Sequence, residues 1–276
     1  NTGYLNANSI NLQAANGDIG KADDGIRILE NGAVINAKAD KGSVYLQGAG
    51  ERDPGLVVDS ISAKKDAKLN LKGNVNFDNG ATSGSINAGG DVTVNGNNVN
   101  LNAGTVKAGG ASDINADNDV NVTTGSITST GAGNITAGND VNLNAGTVTA
   151  GGVSNINAGN DVNVTTGSIT SDGAGNITAG NDVNLNAGSI TSEGAGNITA
   201  GNDVNLNSST LEAGADSVIT ATNGNIALGN GSITSTGAGY ITAGGDVKLS
   251  AGTVTAGGAS NITAGKDVNV TTGSIT

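Results

Sequence analysis

Asp119, Asp140, Asp161, Asp182 and Asp203 stand 21 residues apart, and all but the first close the same phrase, Ala-Gly-Asn-Asp. Asp246 and Asp267 rejoin the series, with Asn225 between them and Asp203. Carboxylates in a regular row are oxygen ligands of the kind Ca²⁺ takes, so these five are the metal candidates of the chain. Stacked about 5 Å apart, they would also repel one another and need compensation. The glycine spacing differs from the Gly-Gly-x-Gly-x-Asp pattern of calcium-binding repeats. An Asx turn, with each carboxylate accepting a local backbone N–H, is therefore the favoured reading, and no metal or cofactor is assigned.

Other chemistry-bearing residues are few. Glu51, Arg52 and Asp53 lie in GAGERDPG (48–55), which carries the only Pro. That stretch reads as a protruding loop, and its three charged residues are candidate contacts. Tyr240 is a fourth, because it replaces Asn in a column of Asn134, Asn155, Asn176, Asn197 and Asn261. Asp23-Asp24 is a further acidic pair, but neighbours on a strand face opposite ways. With no His and no Cys, no nucleophile–base constellation can be assembled. No catalytic residue is assigned and no enzyme is expected.

The elements that must hold these residues follow from the repeat. NITAGNDVNLNAGTVTAGGVS (134–154) is followed by three more versions, ending at Ser217. A fixed period of this length marks a stacked architecture. Ile135, Val141 and Val148 each recur 21 residues later, and each is flanked by polar residues. That period of two is a strand with one face inward. Gly, Asn and Asp separate the strands, as turns require. The chain is thus all-β: a parallel β-helix, or β-solenoid, with about 21 residues and three short strands per coil. Division by 21 gives about thirteen coils, a rod of about 60 Å.

Two sections are distinguished within one solenoid. Residues 1–80 are irregular, with strand pairs Ile26/Ile28, Val44/Leu46, Leu69/Leu71 and Val75/Phe77. Residues 81–276 carry the regular 21-residue repeat. Residues 85–112 fit that repeat with seven extra residues, placed at Thr93–Val99, where Asn95-Gly96 would form a tight turn. One further residue enters between Ile219 and Ile226. The first section holds nine Lys/Arg and ten Asp/Glu; the second holds three and fourteen. A net charge of −12 argues against nucleic-acid binding, which needs a basic surface. No apolar run is long enough for a transmembrane helix.

The phrases AGNDVNL, AGGDVTV (88–94), AGGDVKL (243–249) and GAGNITAG (131–138) resemble the haemagglutinin-type repeats of the filamentous haemagglutinin family, large exoproteins of Gram-negative bacteria. The resemblance implies a right-handed β-helical shaft, exported by two-partner secretion through a dedicated outer-membrane partner. It would act extracellularly or at the cell surface, against a host or neighbouring cell, as an adhesin or as the stalk of a contact-dependent toxin. The chain reads as a segment of such a protein. Two alternatives compete with this reading. One is a self-assembling extracellular filament, with coils stacking end to end between chains. The other is an ice-binding solenoid using the Thr/Ser-x-Thr face, such as Thr147-Val148-Thr149, although Lys107 and Glu212 break that grid.

Overall fold

The computed structural model describes residues 3–50, 54–78, 80 and 83–276, and every regular element in them is a β-strand. The chain divides into two compact units, Asn1–Ala137 and Gly138–Thr276. Each is a parallel β-solenoid.

The second unit is the more regular. One coil runs through the strands Ser154–Ala158, Val162–Thr165 and Ser168–Ser171, and the next through Gly175–Ala179, Val183–Asn186 and Ser189–Ser192. They pair in parallel, with Ile156 beside Ile177, Val162 beside Val183 and Ile169 beside Ile190. Pleating alternates the side chains, so Ile177, Val183, Leu185 and Ile190 point inward and are at most 2% exposed. A single coil could not shield these residues; stacked coils bury them as one column per strand. Six strands equivalent to Gly175–Ala179 follow one another in the second unit, and six in the first. The early steps are uneven: Val44 pairs with Ala67 and Ala67 with Val92, steps of 23 and 25 residues, and before the first of these strands Leu5 meets Ile28 only in an isolated parallel bridge.

The corner between second and third strands follows an unexpected rule. Its first residue adopts the left-handed conformation, yet it is Ala, Thr, Ser or Asn: Ala145, Thr166, Ala187, Ser208, Asn230 and Ala251 in the second unit have φ of 50–57°. Glycine would ordinarily take such a position, but at each of these corners except Ser208-Ser209 it stands one residue later instead. The reason is steric. A Cβ on Gly188 would lie 2.8 Å from Val164 Cγ1, and one on Gly252 would lie 2.6 Å from Leu228 Cβ. The glycine is spent where there is no room, and its neighbour accepts the backbone strain.

The turn after the first strand is built differently. Gly159, Gly180, Gly201 and Gly265 stack so closely that a Cβ on any of them would come within 2.1 Å of a glycine carbonyl oxygen one coil earlier. Here backbone lies directly on backbone.

The first unit departs from this plan before residue 80. The strands Asn31–Ala39 and Gly55–Ala63 are nine residues each. They pair with a register shift between Ile35 and Asn36, and Gly55–Ala63 then pairs with both Val75–Asn76 and Ser85–Ala88. One long strand thus does the work of two. The expected pairs at 26–28 and 44–46 lie in strands; of the other two pairs, Leu69 and Val75 lie in strands, whereas Leu71 and Phe77 fall just past the strand ends.

The expected insertion at Thr93–Val99 is absent. Val92–Gly96 is a regular strand between Ala67–Asn70 and Ser112–Ala116, and Val99–Asn102 begins the next side of the coil. Val92 pairs with Ser112, a step of 20, so this coil is one residue short rather than seven long. AGGDV at 88–92 resembles the AGNDV of the later repeats, but it occupies the corner before the first strand. The same letters at 243–247 occupy the corner after it. A Gly-Gly-Asp turn fits both corners, so the phrase does not identify which one it makes. The extra residue near 219–226 is real: Ile198 pairs with Ile219 and Val204 with Ile226, steps of 21 and 22.

Candidate functional site

The aspartate column is a ladder between coils. Asp161 donates its N–H to Asp140 Oδ1 (3.1 Å), Asp182 to Asp161 (3.0 Å), Asp203 to Asp182 (2.9 Å) and Asn225 to Asp203 (2.6 Å). Each of these carboxylates therefore caps the backbone of the following coil, where the Asx reading expected a local N–H. The donor arrives from 21 or 22 residues later because stacking sets the backbone of the following coil against the carboxylate. Asn side chains supply a second donor: Asn160 to Asp140 (2.9 Å) and Asn181 to Asp161 (2.8 Å). These N–H dipoles offset the repulsion along the row. In the first unit Asp119 takes the same place, its N–H donating to Asn98 Oδ1 (3.1 Å). No three acidic side chains converge as a metal-binding group among the described residues.

Asp246 differs in having a cation beside it. Lys248 Nζ lies 3.0 Å from its Oδ2, and Asp267 N–H donates to its Oδ1 (3.2 Å). The Lys248 hydrogen bond, with that N–H next, holds its carboxyl below the usual aspartate value. A carboxylate lowered in the folded state contributes stability above its unfolded pKa and loses it as pH falls through the folded one. Lys248→Met is therefore expected to raise the Asp246 titration midpoint, measured by carboxyl-carbon NMR. An unmoved midpoint would contradict the pairing.

Asparagine columns run beside the aspartates. Asn176 donates to Asn155 (2.9 Å) and Asn197 to Asn176 (2.8 Å); on the next side, Asn184 donates to Asn163 (3.1 Å) and Asn205 to Asn184 (2.9 Å). The first ladder stops at Val218, which pairs with Tyr240. Both are exposed, at 37% and 40%, so Tyr240 lies on the outer face. Glu51, Arg52 and Asp53 lie outside the described residues. On the third strand, the outward row Thr149, Thr170, Thr191 is broken by Glu212 before Thr234.

Two buried features had no sequence signal. Serines 112, 154 and 217 are at most 1% exposed, and their hydroxyls lack a hydrogen-bond partner. Each has a glycine beside it on a neighbouring coil: Gly133 beside Ser112, Gly175 beside Ser154, and Gly196 and Gly239 beside Ser217. An unsatisfied buried hydroxyl costs about 1 kcal/mol or more, so Ser154→Ala is expected to stabilise the second unit by about that amount. A chemical denaturation curve measures it, and a loss of stability would show the hydroxyl is satisfied. The second feature is Glu30, 2% exposed. Its Oε1 accepts the N–H groups of Lys72 (2.7 Å) and Gly73 (2.8 Å), so this carboxylate ties together backbone more than forty residues apart.

The first unit also has a concave pocket of about 170 Å³, lined by Lys21, Asp23, Tyr45, Gln47, Lys68 and Asn70 among others. Asp23 faces it, whereas Asp24 lines a separate depression with Tyr4 and Arg27. The acidic pair does diverge, but from a bend rather than from a strand.

Stacked coils, inward aliphatic columns and outward amide and carboxylate ladders define a β-solenoid repeat protein. The haemagglutinin repeat model matches residues 58–125, 108–173, 149–238 and 210–276. The chain belongs to the haemagglutinin repeat family, as its phrases implied. Comparison with curated proteins and with solved structures returns no match.

Proposed function

We propose that this chain is a structural shaft of a secreted or cell-surface adhesin-type exoprotein, extending and displaying binding or toxin regions. The observation that carries the proposal is the division of labour within each coil. The strand-centre inward positions keep Ile, Val or Leu from coil to coil, as in Ile198, Ile219 and Ile241, and outward positions vary from Asn to Val to Tyr on one column. Such a fold lengthens by adding coils without enlarging its core, which suits reach better than chemistry. Membership of the haemagglutinin repeat family supports export through an outer-membrane partner and contact with a host or neighbouring cell. The role needs no catalytic group.

The test removes two whole coils, residues 155–196. The shaft reading expects an unchanged β-sheet circular-dichroism spectrum. It also expects a longest dimension about 10 Å shorter by small-angle scattering. Loss of the spectrum, or an unchanged dimension, would count against it.

A further inference from the structure

The pocket beside Lys21 goes beyond a shaft role. Its floor is the outer face of two paired strands, Val44–Gly48 and Ala67–Asn70, where Tyr45 neighbours Lys68 and Gln47 neighbours Asn70. Its wall is the bend at residues 20–25. Lys21 and Asp24 exchange backbone hydrogen bonds (3.2 Å each), which closes the bend on itself. Gly20 has φ of 75°, and a Cβ there would lie 2.5 Å from Tyr45 O. A Cβ on Gly25 would lie 3.1 Å from the same oxygen. Two glycines therefore press the wall against the floor. The base is fixed by Ile19, whose N–H donates to Ser43 O (2.9 Å) and whose carbonyl accepts from Tyr45 N–H (2.8 Å).

The lining chemistry is specific. Neither Lys21 nor Lys68 has an ion pair among the described residues, in a chain of net charge −12. Two ammonium groups and the Asp23 carboxylate leave one net positive charge, which matches a monoanion better than a polyanion. Asp23, Gln47 and Asn70 supply acceptors and amide donors for hydroxyl groups. Tyr45 adds an aromatic ring with a polar tip. The volume is below that of a drug-sized ligand and suits one ring.

We infer that this pocket binds a hydroxyl-rich carboxylate the size of one sugar ring, a hexuronic acid, either free or as the end residue of an acidic glycan. Lys21 and Lys68 hold the carboxylate, and Asp23 accepts from ring hydroxyls.

The test titrates the whole chain with glucuronate, following amide shifts by NMR. Saturable shifts are expected for Gln47, Lys68 and Asn70, with glucose giving none. Lys21→Met and Lys68→Met should each weaken binding about tenfold or more, the scale of a lost charge-assisted contact, with unchanged melting temperatures. Lys107→Met, on a distant strand, should not alter it. A short oligosaccharide ending in glucuronate separates the two sources: equal or tighter binding assigns a glycan end, and exclusion assigns the free acid. No saturation, retention of affinity in both pocket variants, or equal binding of inorganic sulfate would overturn the inference.

Discussion

Gly180→Ala is expected to destabilise the second unit by about 3 kcal/mol, the upper end of the usual cost of overpacking. The added methyl would sit 2.1 Å from Gly159 O, and that neighbour is backbone rather than a side chain able to rotate away. Relief requires the coils to part, which lengthens the bond from Gly180 N–H to Ala158 O (3.0 Å) and its neighbour from Asn181 N–H to Asn160 O (2.8 Å). Thr178→Ala, two residues earlier on an exposed position, is the control and should fall within about 0.5 kcal/mol of the parent. Urea unfolding compares the two. If Gly180→Ala matched the control, coil spacing at this corner would be looser than described.

Phe77→Ala is expected to cost the first unit roughly 3–5 kcal/mol, the range for emptying a buried aromatic site. Phe77 is the only Phe in the chain and is fully buried. It stands in a column that continues with Leu101 and Val122, as the flanking pairs Val75–Val99 and Leu101–Val122 place it. Gly104 lies against it, with room for no further carbon: a Cβ there would be 2.4 Å from Phe77 Cβ. Nearest-neighbour coupling in a solenoid keeps the damage local. Hydrogen exchange should therefore accelerate at Phe77 N–H, bonded to Asn100 O (2.9 Å), and at Gly84 N–H, bonded to Phe77 O (2.6 Å). A cost below about 1 kcal/mol would mean that the site refills on truncation.

The sequence made the solenoid legible because Ile, Val and Leu recur at one spacing, and only stacking satisfies that pattern. The amide ladders were legible for the same reason. The direction of the aspartate bonds was not, since Asp161 has local N–H groups nearby and only the assembled coil brings Asp182 N–H to 3.0 Å. The left-handed corners were hidden by a reversal. In Ala187-Gly188 propensity assigns the positive φ to the glycine, whereas crowding by Val164 decides otherwise. Ser154 was hidden because its polar side chain suggests an exposed position, yet it replaces glycines in an interior column. The pocket depends on a bend at residues 20–25 meeting lysines and amides from later strands, and no period connects these positions.

The extra residue between Ala221 and Ile226 has a consequence for the gene. Register is recovered at the very next strand, where Ile226 takes the place of Val204, so the corner tolerates a codon that a strand would not. Near-identical repeats in DNA invite misaligned exchange between copies. Exchanges that add or remove one whole repeat, or that leave a stray codon at a corner, still encode a foldable product. Those that shift phase within a strand invert which side chains face the core and are lost. Selection can therefore alter the number of repeats in large steps without inventing any new packing.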